Sequence, residues 1–266
     1  MAIDLDLHGR TALVTGSTAG IGRAIAAGLA GQGAHVIITG RTQARVDEAI
    51  AAITAGDPGA RLSGLAGDLA TAAGAAAVVT RFPQADILVN NLGIFAPQPF
   101  EAIDDADWLR FFETNVLSGV RLTRAYLPSM RERNWGRIIF ISSESGVQIP
   151  VEMIHYGVTK TAQIALARGI AESVAGTGIT VNSVLPGPTK SEGVGTFVTQ
   201  MAAQRKISFE EMERDFFATA RPTSLIKRFL SNEEVANMVV YLCSPAASGT
   251  TGSAVRVDGG VVRAIP

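Results

Sequence analysis

Tyr156 and Lys160 stand four residues apart in "HYGVTK", a spacing that stacks both side chains on one helical face. Two readings fit the pair. Either a lysine stem snorkels beside an aromatic ring, or a phenol is tuned by a neighbouring ammonium. An unperturbed phenol titrates near ~10, too high for a base at neutral pH, and a cation one turn away favours the phenolate. A second constellation lies near the start of the chain. "TGSTAGIGRAI" places Gly16, Gly20 and Gly22 between an apolar run and an Ala-rich stretch, with Thr18 and Ile21 in the same loop. Strand, glycine-rich turn and helix together make a phosphate cradle. The first glycine permits the tight turn, the second admits a pyrophosphate, and the third lets helix and strand approach. The helix N-terminus adds free N–H groups and a partial positive charge.

A third signal comes at "ITGRT". A site selecting NAD(H) wants a carboxylate about 20 residues after the loop, against the ribose hydroxyls. Here Gly40 stands in that place and Arg41 follows. No acid repels a 2′-phosphate, and a guanidinium can grip one bidentately. The expectation is a preference for NADP(H), with NAD(H) possible; the alternative is that Arg41 is a solvated surface charge.

These groups need elements to hold them. Short apolar, β-branched runs recur at residues 11–16, 35–40, 61–68, 86–91, 137–142, 180–185 and 253–258, alternating with longer helical stretches. Strands apolar on both faces and alternating with helices predict a parallel sheet covered on both sides. Right-handed crossovers then favour an α/β, Rossmann-like, doubly wound three-layer sandwich with a seven-stranded parallel sheet. No repeat or linker divides the chain, so residues 1–266 read as one domain. Residues 191–227 break the rhythm and carry Phe197, Met201, Phe209, Met212 and Phe216. An insertion placed after a strand's C-terminal end reads as a substrate lid, or else as a peripheral helical pair packed on the core.

Composition excludes other classes. The net charge is −1 without a long basic run, which argues against nucleic acid as a partner. No apolar run approaches the ~18 residues needed to span a membrane. The acids in "MAIDLDLHGR" do not suit a secretory leader. A lone cysteine, Cys243, suggests a reducing, cytoplasmic setting. His8, His35 and His155 are scattered and show no metal-ligand spacing, so no metal is expected.

Taken together and in order, these motifs resemble the short-chain dehydrogenase/reductase family over essentially the whole chain. "TGSTAGIG" is similar to its TGxxxGxG, "GDL" at 67–69 to its adenine-contacting acid, "NNLG" at 90–93 to NNAG, and "LPG" at 185–187 to its PG turn. The resemblance implies cofactor contacts at Asp68, Leu69, Asn91, Gly93, Pro186, Gly187, Thr189 and Ser191, the last standing where a threonine is usual. Leu92 departs from the family's alanine, and local repacking is expected there. The resemblance further implies a catalytic set of Asn115 from "TNV", Ser143 thirteen residues before Tyr156, Tyr156 itself and Lys160. Tyr156 would exchange the proton, Ser143 bond the substrate oxygen, and Asn115 anchor a water linking Lys160 to solvent. Lys160 would also hold the nicotinamide ribose.

Ser142 reads as a strand-end residue, and His155, about 100° around the helix, as a satisfied or interface histidine. Glu144, Gln148 and Glu152 each read as solvated loop residues in a region where substrate recognition is expected. "DDAD" at 104–107 and "SNEE" at 231–234 read as helix N-termini. The implied reaction is hydride transfer between the nicotinamide and a small carbonyl or secondary alcohol, such as a ketone or 3-oxoacyl thioester, by a homotetramer. A non-redox epimerase or dehydratase, or a dinucleotide sensor, are the rival readings. The Arg41 argument predicts a lower Michaelis constant for NADPH than for NADH, measured side by side with one carbonyl; a clear NADH preference refutes it.

Overall fold

Valine, isoleucine and leucine on both faces of the central strands force a sheet buried between two helical layers. The computed structural model describes residues 3–192, 195, 198, 202, 204, 205 and 207–265. Its strands are β1 (Thr11–Val14), β2 (His35–Gly40), β3 (Arg61–Ala66), β4 (Ile87–Asn90), β5 (Gly136–Ile141), β6 (Ile179–Pro186) and β7 (Ala254–Val257). All pair in parallel, in the order β3-β2-β1-β4-β5-β6-β7. The strand order reverses between β1 and β4, and ligands bind outside the carboxyl ends at such a switch point.

Helices α1 (Gly20–Gly31), α2 (Gln43–Gly56), α3 (Ala72–Arg81), α4 (Asp105–Phe112), α5 (Ser118–Glu132), α6 (Ile154–Ser173), α7 (Phe209–Thr219) and α8 (Asn232–Cys243) complete the described chain. On one face of the sheet Ile25, Leu29, Val46 and Val239, from α1, α2 and α8, bury against Val14, Val36 and Ile139. On the other, Val78, Leu122, Tyr126 and Ala167, from α3, α5 and α6, bury against Leu13, Leu88 and Ile138. Asp104 and Ser231 cap α4 and α8 through their side chains, so both acidic clusters are helix N-termini. Among the described residues no helix is long and apolar enough to cross a membrane.

The long segment after β4 is not one uninterrupted α-helix. A π-helical turn, Glu113–Leu117, joins α4 to α5. Within residues 191–227, Phe209, Met212 and Phe216 pack with Phe217 and Phe229 in a third cluster, separate from both sheet faces; Phe197 and Met201 lie outside the described residues.

Phe140 on β5 is fully buried between β4 and β6, on the strand that delivers Ser143. Phe140→Ala is expected to destabilise the fold by about 3–5 kcal/mol, read as a lower midpoint in urea unfolding.

Candidate active site

The glycine loop runs from the end of β1 into α1. Gly16 has φ +61°, a conformation glycine adopts without Cβ strain. At Gly22 a Cβ would lie 2.4 Å from the Gly16 carbonyl oxygen and 2.5 Å from Asn91 Nδ2, so only hydrogen fits. Asn91 itself holds the loop: its Nδ2 donates to the carbonyls of Thr15 at 2.9 Å and Gly16 at 3.1 Å. Thr15 Oγ1 accepts from the N–H of both Asn91 and Leu92, and Leu92 packs against the core. No side chain caps α1, which leaves its first-turn amides to an anion. An uncapped helix end behind a loop without side-chain bulk fits the phosphates of a dinucleotide.

Arg41 is exposed at the end of β2. A Cβ on Gly40 would meet Thr18 Cγ2 at 2.3 Å, so Thr18 fills the space an acid would take. Asp68 is exposed while Leu69 is buried, and the Asp68 carboxylate accepts from the Ala70 N–H at 3.1 Å. Gly187 donates its N–H to the Val257 carbonyl at 2.9 Å, just beyond Pro186. Thr189 is buried and spends its hydroxyl on the Gly187 carbonyl at 2.9 Å. Ser191 is carried to the cradle: its Cβ lies 3.3 Å from where a Cβ on Gly20 would stand.

Ser143, Tyr156 and Lys160 come together beyond the ends of β4, β5 and β6. Ser142 Oγ donates to the Lys160 carbonyl at 2.8 Å, tying β5 to α6, so the serine that turns toward Tyr156 is Ser143. Tyr156 keeps part of its surface open to the cleft, with Phe95 edge-on at 6.3 Å. Burial is the largest influence on the phenol and raises its pKa; the Glu144 carboxylate raises it further. A hydrogen bond with Ser143 and the Arg221 guanidinium pull the other way. Lys160 is buried, and desolvation pushes its ammonium down to about 7.

Asn115 sits in the π-turn, a feature frequent at functional sites. Its Nδ2 donates to the Ile94 carbonyl and to Thr159 Oγ1, both at 3.0 Å, and its Oδ1 accepts from the Ile94 N–H at 2.8 Å. Between Asn115 and Lys160 lies Gln163, which the sequence reading passed over. Its Oε1 accepts from Lys160 Nζ at 3.1 Å, and its Nε2 donates to the Asn115 carbonyl at 2.5 Å. Gln163 thus joins Lys160 to the Asn115 main chain. Gln163 was findable, since it stands three residues after Lys160 on the same face.

Two expectations need correcting. Glu144 is not solvated: it is 5% exposed, accepts from Ser143 Oγ at 2.5 Å and pairs with Arg221 Nε at 3.3 Å. Burial of a carboxylate demanded that partner, and nothing local in the sequence points to a residue 77 positions away. Glu152 bonds the same arginine at 3.2 Å but is half-exposed, while Gln148 is exposed. His155 is not satisfied: it is fully buried, and neither ring nitrogen has a partner. Its ring packs 4.0 Å from that of Phe111, and burial lowers its pKa.

A parallel doubly wound sheet, a glycine cradle at its switch point and a Tyr–Lys–Ser cluster beside it define a dinucleotide-dependent oxidoreductase. The family model described as short chain dehydrogenase matches residues 10–202, and the chain belongs to that family. Uncharacterized oxidoreductase YvaG of Bacillus subtilis is 47% identical over 98% of this chain and 99% of its own. The 3-oxoacyl-[acyl-carrier-protein] reductase FabG of Aquifex aeolicus is 34% identical over 97% of this chain and 100% of its own. Among solved structures, L-sorbose reductase from Gluconobacter frateurii, complexed with NADPH and L-sorbose, superposes with a TM-score of 0.92. It is 34% identical, covering 98% of this chain and 100% of that one. The protein is thus an NAD(P)-dependent short-chain dehydrogenase/reductase.

Gly22→Ala is expected to weaken NADPH binding more than tenfold (about 1.4 kcal/mol), because the methyl meets main-chain atoms. Titration of NADPH fluorescence checks it; affinity within twofold of the parent would refute the cradle.

Proposed function

We propose that this enzyme reduces a ketone with NADPH, Tyr156 serving as the general acid, within one dinucleotide-binding domain that carries a lid. The observation that supports this best is the convergence of Ser143, Tyr156 and Lys160 beside Gly93, where a Cβ would lie 3.4 Å from Lys160 Nζ. The nicotinamide end of a dinucleotide would lie beside this cluster, and when bound the nicotinamide supplies the hydride. Ser143 orients the substrate oxygen and steadies the charge that develops on it. Tyr156 gives its proton to that oxygen in reduction and takes it back in oxidation. Lys160 holds the ribose hydroxyls.

The preference for NADPH is supported by Arg41 beside a Gly40 that excludes an acid, and by the NADPH bound to the G. frateurii relative. The cleft supports a compact, partly polar ketone. Phe95 stands edge-on to Tyr156, and the buried Glu144–Arg221 pair stands beside Ser143. A homotetramer built through α5 and α6 is supported by a groove between them lined by Leu127, Leu166 and Ile170.

Tyr156→Phe removes the transferable proton and little else. NADPH oxidation followed at 340 nm is expected to fall by about 10³-fold or more in kcat, with the dissociation constant for NADPH within about twofold of the parent. A variant that keeps near-parental turnover overturns the assignment.

A further inference from the structure

Ser143 has one proton to give, and the fold directs it at a neighbouring side chain. Its Oγ donates to Glu144 Oε2 at 2.5 Å and accepts from the Ser145 N–H at 3.1 Å. A hydroxyl carries a single donor, so in this arrangement the serine cannot also donate to a substrate oxygen. To polarise a ketone, its proton has to turn away from the carboxylate. What that turn costs is set by Glu144, whose side chain is buried. Among the described residues, Oε2 would keep only the Ser145 N–H at 2.9 Å, and Oε1 only Arg221 Nε at 3.3 Å. An ionised carboxylate accepts at about four lone-pair sites, and a buried acceptor that loses its donor is penalised.

A donor that arrives with the ketone removes this penalty. When a hydroxyl sits on the carbon next to the carbonyl, its oxygen and the carbonyl oxygen can turn to the same side. They then stand about a hydrogen-bond length apart, as Ser143 Oγ and Glu144 Oε2 do. The two pairs match: the carbonyl oxygen takes the serine proton, and the substrate hydroxyl donates to Oε2 in its place. Charge narrows the class further. Glu144 and Glu152 share the one Arg221 guanidinium, at 3.3 and 3.2 Å, so with both carboxylates ionised the cluster carries one net negative charge. A carboxylate or phosphate beside the carbonyl would meet that charge at close range, whereas a neutral hydroxyl meets an acceptor.

We propose that Glu144 determines substrate specificity by accepting a hydroxyl on the carbon next to the carbonyl, so that the substrates are neutral α-hydroxy ketones. This rests on the reading of Tyr156 as the general acid and of Ser143 as the donor to the substrate oxygen. In the reaction the carbonyl carbon gains a hydride from NADPH and its oxygen gains a proton from Tyr156, giving a vicinal diol and NADP⁺. Arg221 is a positioning residue: it holds Glu144 and Glu152 and is itself tied to the Ala220 carbonyl at 2.8 Å. A ketone without the hydroxyl has to draw the serine proton from Glu144 uncompensated. Such a ketone therefore loses kcat as well as binding.

The test measures NADPH-dependent reduction of matched pairs in which a methyl replaces the hydroxyl: 1-hydroxybutan-2-one with pentan-3-one, and longer homologues of each. The parent enzyme is expected to favour the hydroxy ketone by about 10²-fold or more in kcat/KM. The double variant Glu144→Leu/Arg221→Met removes both charges together, an exchange that buried pairs often tolerate without loss of stability. It is expected to lower the hydroxy ketone's kcat/KM by at least about tenfold and to raise that of the plain ketone, because the serine proton is no longer held. A purely structural role would lower both alike. Glu144→Gln, a weaker acceptor of the same shape, should reduce the ratio part-way and covers the case of a double variant that does not fold. The proposal is overturned by a parent ratio within about threefold, by variants that lose both substrates in equal proportion, or by a preference for an acetoacetyl thioester over every hydroxy ketone. A parent that reduces no hydroxylated member overturns it too. If Tyr156→Phe retains turnover, the reading beneath falls as well; if that variant is dead while the parent ignores the hydroxyl, only the Glu144 assignment falls.

Discussion

Lys160 Nζ is withdrawn from water, and a buried ammonium survives only where acceptors meet its N–H groups. Two do. The Ile141 carbonyl, at 2.9 Å, is offered because β5 ends there, with its ladder to β6 closing at Ile141↔Val184. The Gln163 carboxamide lies one turn further along α6, at 3.1 Å. Both conditions fix the axial position of α6 against the carboxyl edge of the sheet. Once that position is set, Tyr156 has to face the same cleft, because it is one turn earlier on the same side. Ser142, bonded to the Lys160 carbonyl, then turns the chain so that Ser143 points inward. The lysine's two acceptors thus determine where the phenol and the serine stand.

The π-turn solves a related problem on the neighbouring helix. In a regular α-helix the Asn115 carbonyl would be consumed by the N–H four residues on. Widening the helix over Glu113–Leu117 disturbs that ladder locally, and the Asn115 carbonyl accepts from Gln163. Its side chain simultaneously closes on the main chain of Ile94 and on Thr159. One residue therefore joins the loop after β4, the α4–α5 helix and α6, the three elements that surround the cleft.

How much of this was legible in the sequence follows from the range of each interaction. The strands were readable because each is a short apolar run between turn signals. The cradle was readable because its three glycines answer to contacts within one loop and one adjacent strand. That Tyr156 and Lys160 share one helical face was readable from periodicity, but a role for them came only from the ordered motifs around them. Glu144 was not: its burial depends on Arg221, which arrives from the far end of the segment that follows β6. The π-turn was hidden too, since one extra residue in a helical turn changes no composition. His155 misled for a different reason. Its position around the helix was right, but its environment is set by Phe111 and Trp108 from α4, and these leave its nitrogens without partners.

Glu144 and Arg221 raise an energetic question that packing does not answer. A buried carboxylate–guanidinium pair recovers little more than its desolvation cost, and apolar side chains of the same volume often serve stability equally well. The geometry here is not that of a pair optimised for strength, since the contacts of 3.3 and 3.2 Å are long and the guanidinium is shared between two carboxylates. Placing such a pair against the phenol works against the ionisation that oxidation needs, because the Glu144 charge raises the Tyr156 pKa and Arg221 only partly offsets it. What the pair does secure is position: Glu144 accepts from Ser143 Oγ and is anchored by Arg221 from the segment that follows α7, so the orientation of that serine depends on a residue 77 positions further along the chain.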